Sequence, residues 1–288
     1  MNEWYRFREF EATNERQVDR VKDFLDRNEL VLSDDVELFV TASDDGEIVA
    51  CGGISGKILK CVAVTPRLRG KRFVLKVIDE LLEVAKRRGQ EELFLFSTPK
   101  NQEYFEAKGF SLIEKSKDEA ILMENSNNLQ KYKESLMRYK KPGDNIGSIV
   151  YCDLNIEKFD KNWVYKAKER CDFLHIFLVN SNDKNNQEKC QYIKDVLKSY
   201  DEIKIHGNSE YLISKATFPT YFIKDKEHIQ ALHAELDLKI FKTHIAPALN
   251  ITHRFIDRNG DIGEIYSNEM ERIFSESLTT PPIKVVKI

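Results

Sequence analysis

The apolar residues of this chain follow two different patterns, and the change from one to the other falls near residue 145. From residue 146 onward, apolar runs of strand length alternate with longer segments whose apolar residues recur every three to four positions. Such alternation predicts parallel strands joined by right-handed helical crossovers. We therefore expect an open, doubly wound α/β sheet in the second part of the chain, with ligands beyond the carboxyl ends of its strands.

The predicted elements of this second part begin and end with a strand. They are strands 146–154, 173–180, 202–206, 251–256 and 283–288, and helices 158–170, 187–200, 225–244 and 264–277. The preceding segment is polar and rich in Lys and Arg, which is typical of a solvated connecting helix. We expect a domain at 1–125, a linker at 126–144 and a second domain at 145–288.

The first part of the chain predicts a mixed α+β domain. Its expected helices are 15–27, 73–85 and 101–107, and its expected strands are 36–42, 47–54, 57–64, 92–97, 111–113 and 120–124. The turn Ser43-Asp44-Asp45-Gly46 is a hairpin signal between two of these strands. The expected domain has about 125 residues, which is close to the commonest domain size.

Composition excludes several classes of protein. The chain has 45 Lys and Arg against 48 Asp and Glu, and a net charge of −3 argues against a nucleic-acid partner. No apolar run approaches the length of about 18 residues that a membrane span needs, and the start lacks the features of a signal peptide. Five widely spaced cysteines favour buried free thiols and no zinc site. We expect a cytoplasmic protein without metal-ligating residues or a membrane partner.

The loop 62–72 joins a strand to a helix and is rich in basic residues. Such a loop aims backbone N–H groups and the positive end of the helix at one point, where a pyrophosphate can bind. The alternative is a plain turn with solvated basic side chains. The loop resembles the acyl-CoA loop of the GNAT acyltransferases, since Arg67 and Gly70 match its pattern, while Arg72 replaces a small residue. Residues 101–110 also look like a GNAT segment. The resemblance implies that Arg67, Arg69, Gly70 and Lys71 bind acyl-CoA or a pantetheine arm.

A second candidate loop, 213–222, carries Ser214, Lys215 and Thr217, which suit the binding of triphosphate oxygens. Together with segments 171–177 and 233–237, this loop resembles the ATP-using domain of the citrate lyase ligase family. That domain is nucleotidyltransferase-like, with a Rossmann-like parallel sheet, and the family also carries a GNAT-like N-terminal domain. The resemblance therefore covers nearly the whole chain, with its parts in the same order.

The resemblance implies an acid-thiol ligase. The family uses ATP and Mg²⁺ to convert acetate into acetyl-AMP, and it acetylates the prosthetic-group thiol of the acyl-carrier subunit of citrate lyase. Lys215, Ser214 and Thr217 would then be catalytic. Glu157, Asp160 and His175 would lie at the nucleotide, although His175 within an apolar strand also fits a hydrogen-bonded core histidine.

One segment departs from the family pattern. Where the family has Asn-Pro-Phe-Thr-x-Gly-His, this chain has residues 155–160, with Glu157, Phe159 and Asp160 in place of the threonine, glycine and histidine. The family also continues past its last strand into an Ile-Ser-x-Ser-x-Val-Arg segment, whereas this sequence ends at Ile288 and is expected to be a short relative or a truncated chain. Two alternatives therefore stand beside the ligase: a catalytically decayed or regulatory relative that binds partners, and an acetyl-CoA-dependent GNAT acyltransferase.

Overall fold

The computed structural model describes two compact units. The described residues are 5–70, 72–117, 119–152, 155–179, 186–207, 209–213, 218, 226–257, 262–277 and 280–288. The first unit holds the described residues up to Asn128, and the second holds those from Leu129 to Phe218 and from Glu227 onward. Among the residues described, no helix is long and apolar enough to cross a membrane.

The first unit is built on a seven-stranded sheet with the order β1-β2-β3-β4-β5-β7-β6. Its elements are β1 (Arg6–Glu11), α1 (Glu15–Arg27), β2 (Leu38–Asp44), β3 (Glu47–Ser55), β4 (Ile58–Val64), α2 (Phe73–Arg87), β5 (Phe94–Ser97), α3 (Gln102–Glu106), β6 (Ser111–Ser116) and β7 (Ala120–Glu124). Strands β4 and β5 are parallel, whereas the other neighbours are antiparallel. This mixture agrees with the α+β class expected from the sequence.

Helix α2 packs closely on the sheet through its apolar face. Val77, Ile78 and Leu81 are fully buried, as their helical spacing predicts. A Cβ atom added to Gly52 on β3 would lie 2.6 Å from Cδ1 of Leu81, so only glycine leaves room for this helix. Helix α2 is thereby held close to β3 at this position.

Strands β4 and β5 diverge after a short paired stretch. Their pairing covers Ile58 with Phe94 and Leu59 with Leu95. On its other side, β4 has an irregular register with β3, and Cys61 there adopts a positive φ of 54°. Such a bulge bends a strand and increases its twist. The remaining residues of β4 thus form one wall of a cleft.

The second unit contains a five-stranded parallel sheet with the order β10-β9-β8-β11-β12. Its elements are α4 (Asn128–Met137), β8 (Ile146–Cys152), α5 (Lys161–Lys168), β9 (Phe173–Val179), α6 (Asn186–Leu197), β10 (Ile203–His206), α7 (Lys226–Ile240), a π-helical turn (Phe241–Ile245), α8 (Ala246–Leu249), β11 (His253–Ile256), α9 (Glu264–Ser275) and β12 (Lys284–Lys287). The expected parallel α/β sheet is confirmed. The strand order reverses between β8 and β11, where such folds bind ligands.

The two faces of this sheet differ in character. One face packs Ile149, Leu174 and Ile176 against helices α5 and α6 in an apolar cluster. The other face carries polar side chains among aromatic rings: the ring of Phe241 lies 5.7 Å from that of Phe177, and the guanidinium carbon of Arg254 lies 4.9 Å from the Phe241 ring. Polar and charged side chains are thus buried on this second face of the sheet.

Three local features differ from the sequence prediction. Strand β1 was not predicted, because Arg6, Arg8 and Glu9 give it a polar pattern that suits an edge strand. The long helix predicted at 225–244 contains a π-helical turn at Phe241–Ile245. The helix predicted at 158–170 begins at Lys161, because the side chain of Asp160 caps it.

Candidate functional site

A cleft of about 480 Å³ opens between β4 and β5 in the first unit. Its walls are apolar at Leu59, Leu95 and Phe105, and its mouth is basic at Arg69 and Arg72. The remaining lining residues include Asn28, Ser97, Thr98, Lys100, Asn101 and Tyr104. This volume lies within the usual range of small-molecule sites, and a lining of apolar and basic side chains suits a ligand with an apolar part and an anionic end.

The mouth of the cleft contains the beginning of α2. Gly70 has a φ of 76°, and Arg72 at the N-cap position has a φ of 55° and supplies no side-chain cap. The first N–H groups of a helix lack carbonyl partners within the helix, and they lie at its positive end. Gly70, Arg72 and Phe73 line the cleft here. The geometry can therefore hold a phosphate against the start of α2.

The predicted basic residues of this loop lie in different places. Arg69 lines the cleft; its Nε donates to the carbonyl of Val64 at 3.2 Å, and its Nη2 donates to Oδ1 of Asn28 at 3.0 Å. Arg67 instead forms an exposed ion pair of 2.6 Å with Asp44 and is not among the residues lining the cleft. Lys71 lies outside the described residues. The binding roles of these residues stay predictions.

In the second unit, a polar cluster anchors the chain just before the predicted phosphate loop. The backbone N–H of Ile213 donates to Oδ1 of Asp237 at 2.8 Å, and Nε2 of His233 donates to the carbonyl of Ile213 at 2.6 Å. The hydroxyl of Tyr266 donates to the other Asp237 oxygen at 2.6 Å. The predicted catalytic residues Ser214, Lys215 and Thr217 follow directly along the chain and lie outside the described residues.

Arg254 on β11 belongs to the same neighbourhood and is only 4% exposed. Burial lowers the pKa of its guanidinium, while Tyr266, Asp237 and Cys152 act in the opposite direction. Burial also raises the pKa of the Tyr266 phenol, and the nearby charge of Asp237 raises it further. Cys152 is the last residue of β8, so this electrostatic cluster extends to the carboxyl end of the sheet beside the reversal in strand order.

The segment that departs from the family pattern has a defined local structure. Oδ1 of Asn155 accepts from the backbone N–H of Glu157 at 2.9 Å, and Oδ1 of Asp160 accepts from that of Asn162 at 2.8 Å. Asp160 is thereby the N-cap of α5. The ring of Phe159 contacts that of Tyr151 edge-on, with 5.8 Å between centroids. A carboxylate thus occupies a helix N-terminus, where a phosphate would otherwise be favoured.

His175 is buried within β9 and faces a second histidine. Its Nδ1 lies 2.9 Å from Nε2 of His206. Burial, reinforced by nearby lysines, lowers the pKa of His175 to about 4, and burial together with His175 lowers the pKa of His206 to about 3. His175 is the third residue of β9 and lies four residues before the carboxyl end of that strand, so its predicted contact with a nucleotide stays a prediction.

Within the described part of the chain, no group of three or more His, Cys, Asp or Glu side chains is arranged to hold a metal ion. Mg²⁺ in nucleotide enzymes commonly binds through one or two carboxylates together with phosphate oxygens of the substrate. The role expected for Mg²⁺ therefore does not require a dedicated cage of protein ligands.

Sequence reasoning missed part of both sites. It did not single out Ser97 and Asn101, where Nδ2 of Asn101 donates to Oγ of Ser97 at 3.0 Å beside the cleft. It also missed Tyr266 and Arg254. A lone arginine in the otherwise apolar part of a strand is a signal that could have drawn attention to Arg254, because charged side chains are rarely buried unless they are paired.

Comparison with known proteins gives consistent results for the two parts of the chain. The family model for the citrate lyase ligase C-terminal domain matches residues 146–288, and that for the acetyltransferase (GNAT) family matches residues 1–110. The [citrate [pro-3S]-lyase] ligase of Klebsiella pneumoniae is 36% identical over 271 residues, which cover 92% of this chain and 79% of the relative. The ligase of the same name from Escherichia coli K12 is 33% identical, covering 98% of this chain and 82% of the relative.

A crystal structure of an acyl-CoA N-acyltransferase from Pseudomonas aeruginosa covers 42% of this chain and 99% of its own, at 15% identity and a TM-score of 0.37.

Proposed function

The chain belongs to the citrate lyase ligase family, and from this premise we propose that it acetylates the prosthetic-group thiol of a citrate lyase acyl-carrier subunit at the expense of ATP. The observation that carries the proposal is the similarity to two named ligases across both units, at 33–36% identity over more than nine tenths of the chain. A likeness confined to one unit would not separate a ligase from an acyltransferase or from another nucleotidyltransferase.

The proposed reaction has two steps. A carboxylate oxygen of acetate forms a bond to the α-phosphorus of ATP, and the bond to the bridging oxygen of pyrophosphate breaks. The sulfur of the carrier thiol then bonds to the acetyl carbon, AMP leaves with the electron pair of the broken C–O bond, and the thiol proton passes to solvent. Mg²⁺ would offset charge on the phosphates of ATP when it is bound.

The first unit suits the arm of the prosthetic group. Its cleft offers both apolar and hydrogen-bonding side chains to a pantetheine-like chain, and its mouth presents Arg69, Arg72 and the start of α2 to a phosphate. Positioning the thiol in this way would supply the orientation on which acyl transfer depends.

The second unit suits ATP and acetate. Asp237 accepts from the N–H of Ile213 and His233 donates to its carbonyl, so Ile213 is fixed directly before Ser214, Lys215 and Thr217 in the chain. An ammonium and two hydroxyls are suited to align and neutralise phosphate oxygens during an in-line displacement.

One observation favours a second candidate function, which is partner binding without adenylylation. At the N-terminus of α5, Asp160 supplies the cap that a phosphate would otherwise provide, and the Phe159 ring packs on Tyr151 where glycine would leave space. A protein that retained the cleft of the first unit and lost this phosphate position would bind the carrier subunit without activating acetate.

Pyrophosphate release tests the proposal. The chain is incubated with ATP, Mg²⁺ and acetate, with and without deacetylated carrier subunit, and acetate-dependent release is expected. Folded protein that releases none, yet binds the carrier subunit, would favour the second candidate. A parallel reaction with acetyl-CoA in place of ATP and acetate tests for a GNAT acyltransferase, which alone would acetylate an acceptor under those conditions.

A further inference from the structure

The polar cluster of the second unit contains a buried guanidinium, that of Arg254, whose hydrogen-bonding capacity the described chain does not fill. Arg254 is 4% exposed, and its Nε and Nη1 have no hydrogen-bond partner among the described residues. Both oxygens of the neighbouring Asp237 are engaged, one by the N–H of Ile213 and the other by the hydroxyl of Tyr266. Asp237 therefore acts on Arg254 through its charge, while its own hydrogen bonds come from Ile213 and Tyr266.

This arrangement is unusual because the guanidinium keeps its charge at neutral pH even where burial lowers its pKa. A charge taken out of water is costly unless an opposite charge and hydrogen bonds compensate it. A second buried cation among the described residues of this unit has hydrogen-bond partners: Lys242 is 6% exposed, and its Nζ donates to the carbonyls of Ile273 and Glu276.

A second buried atom at the cluster also lacks a partner within the described chain. Nε2 of His233 donates to the carbonyl of Ile213, so its Nδ1 is the acceptor of a neutral ring, and Nδ1 is buried without a donor. The His233 ring centroid lies 6.3 Å from that of Tyr266, whose hydroxyl is bonded to Asp237. Two donor atoms of Arg254 and one acceptor atom of His233 are thus buried without a hydrogen-bond partner among the described residues.

We propose that Arg254 binds an oxyanion of the substrate, either the carboxylate of a short acid or a phosphate group. A guanidinium presents its N–H groups in a planar fork that matches both ions. Arg254 lies on β11 beside the reversal in strand order, and its electrostatic contact with Cys152 connects it to the carboxyl end of β8. The inference rests on the proposed function in one respect: that function supplies acetate and the phosphates of ATP as the candidate ions.

Binding without turnover tests the inference. Thermal unfolding of the full chain is followed in acetate, in pyrophosphate and in chloride at equal ionic strength. At a hundredfold excess over its Kd, the bound ion is expected to raise Tm by about 5 °C or more. Where the response is lost on substitution of Arg254, a response to acetate alone identifies a carboxylate site and a response to pyrophosphate alone identifies a phosphate site. A response to both ions identifies a site that accepts either.

The variant Arg254→Met removes the charge and keeps an unbranched side chain. Its affinity for the responding ion is expected to fall at least tenfold, because the fork of donors is gone. Lys242→Met is the matched control: it loses two hydrogen bonds to carbonyls, so its Tm in chloride falls while its response to the ion remains.

If Arg254→Met does not fold, Arg254→Lys decides, because it keeps the charge without the fork and should also bind at least tenfold more weakly. The inference is overturned if the wild type responds to neither ion, or if the folded variant keeps wild-type affinity. A folded variant with wild-type affinity would overturn only this inference, because acetate-dependent pyrophosphate release would still support the proposed function. A response that depends on Arg254, in a protein that releases no pyrophosphate, would contradict the proposed function alone.

Discussion

Replacing Asp160 by asparagine separates the charge of this residue from its role as a helix cap. Asparagine caps helices about as well as aspartate, so the hydrogen bond of 2.8 Å to the N–H of Asn162 is retained. The loss of a negative charge at the N-terminus of α5 costs about 0.3–1 kcal/mol of stability. A carboxylate repels a phosphate by about 1 kcal/mol at 4 Å even in bulk water. If ATP binds beside this residue, Asp160→Asn should tighten its binding about fivefold.

Isothermal titration with ATP and Mg²⁺ measures the affinity, and urea unfolding measures stability. Asp160→Ala removes both the charge and the cap, so it should tighten ATP binding similarly while costing about 1 kcal/mol of stability. Asp172→Asn is the matched charge control, since Asp172 precedes β9 at the opposite, amino edge of the sheet. Unchanged ATP affinity in Asp160→Asn, or an equal gain in Asp172→Asn, would refute a phosphate position at the start of α5.

Two further predictions concern stability in the second unit. His206 has a pKa of about 3 in the folded chain and about 6.5 when unfolded, so it stabilises the fold above pH 6.5 and loses that contribution as the pH falls. The variant His206→Gln is expected to have a lower free energy of unfolding than the wild type in urea. This difference should shrink by about 1.4 kcal/mol per pH unit below 6.5. Gly147→Ala should cost about 1–3 kcal/mol in the same assay, because its Cβ would lie 2.5 Å from Cε2 of Phe255 and 2.9 Å from Sγ of Cys171.

Each of these predictions has its own control. A deficit of His206→Gln that does not change between pH 7 and pH 5 would contradict the neutral, buried state of the histidine pair. Gly207→Ala is the control for Gly147→Ala, since a Cβ at Gly207 meets no atom within 4 Å. Equal losses of stability in the two alanine variants would contradict the close packing of Gly147.

The regular elements could be predicted where the pattern of apolar residues was strong. Helix α1 and strand β7 have the bounds that spacing predicts, and the alternation after residue 145 predicts the parallel sheet. The side chain of Asp160 caps α5, which explains why this helix begins at Lys161, three residues after the predicted start at residue 158. Edge strands such as β1 bury too little surface to show an apolar pattern.

The candidate sites were harder to predict because their residues meet only in three dimensions. The basic loop at Arg69 and Gly70 could be found, since its residues are consecutive and join a strand to a helix. The pair Asp237 and Tyr266 is separated by 29 residues, and Arg254 reaches it from a different strand. No local pattern in the sequence records which buried charge lacks a partner.

The mass of the carrier subunit gives the most direct test of the central claim. Deacetylated carrier subunit is incubated with this chain, ATP, Mg²⁺ and acetate, and its prosthetic group is analysed by mass spectrometry. The account predicts the gain of one acetyl group on the thiol, dependent on both ATP and acetate. A carrier that remains unmodified with folded protein, or that is acetylated from acetyl-CoA without ATP, would contradict it.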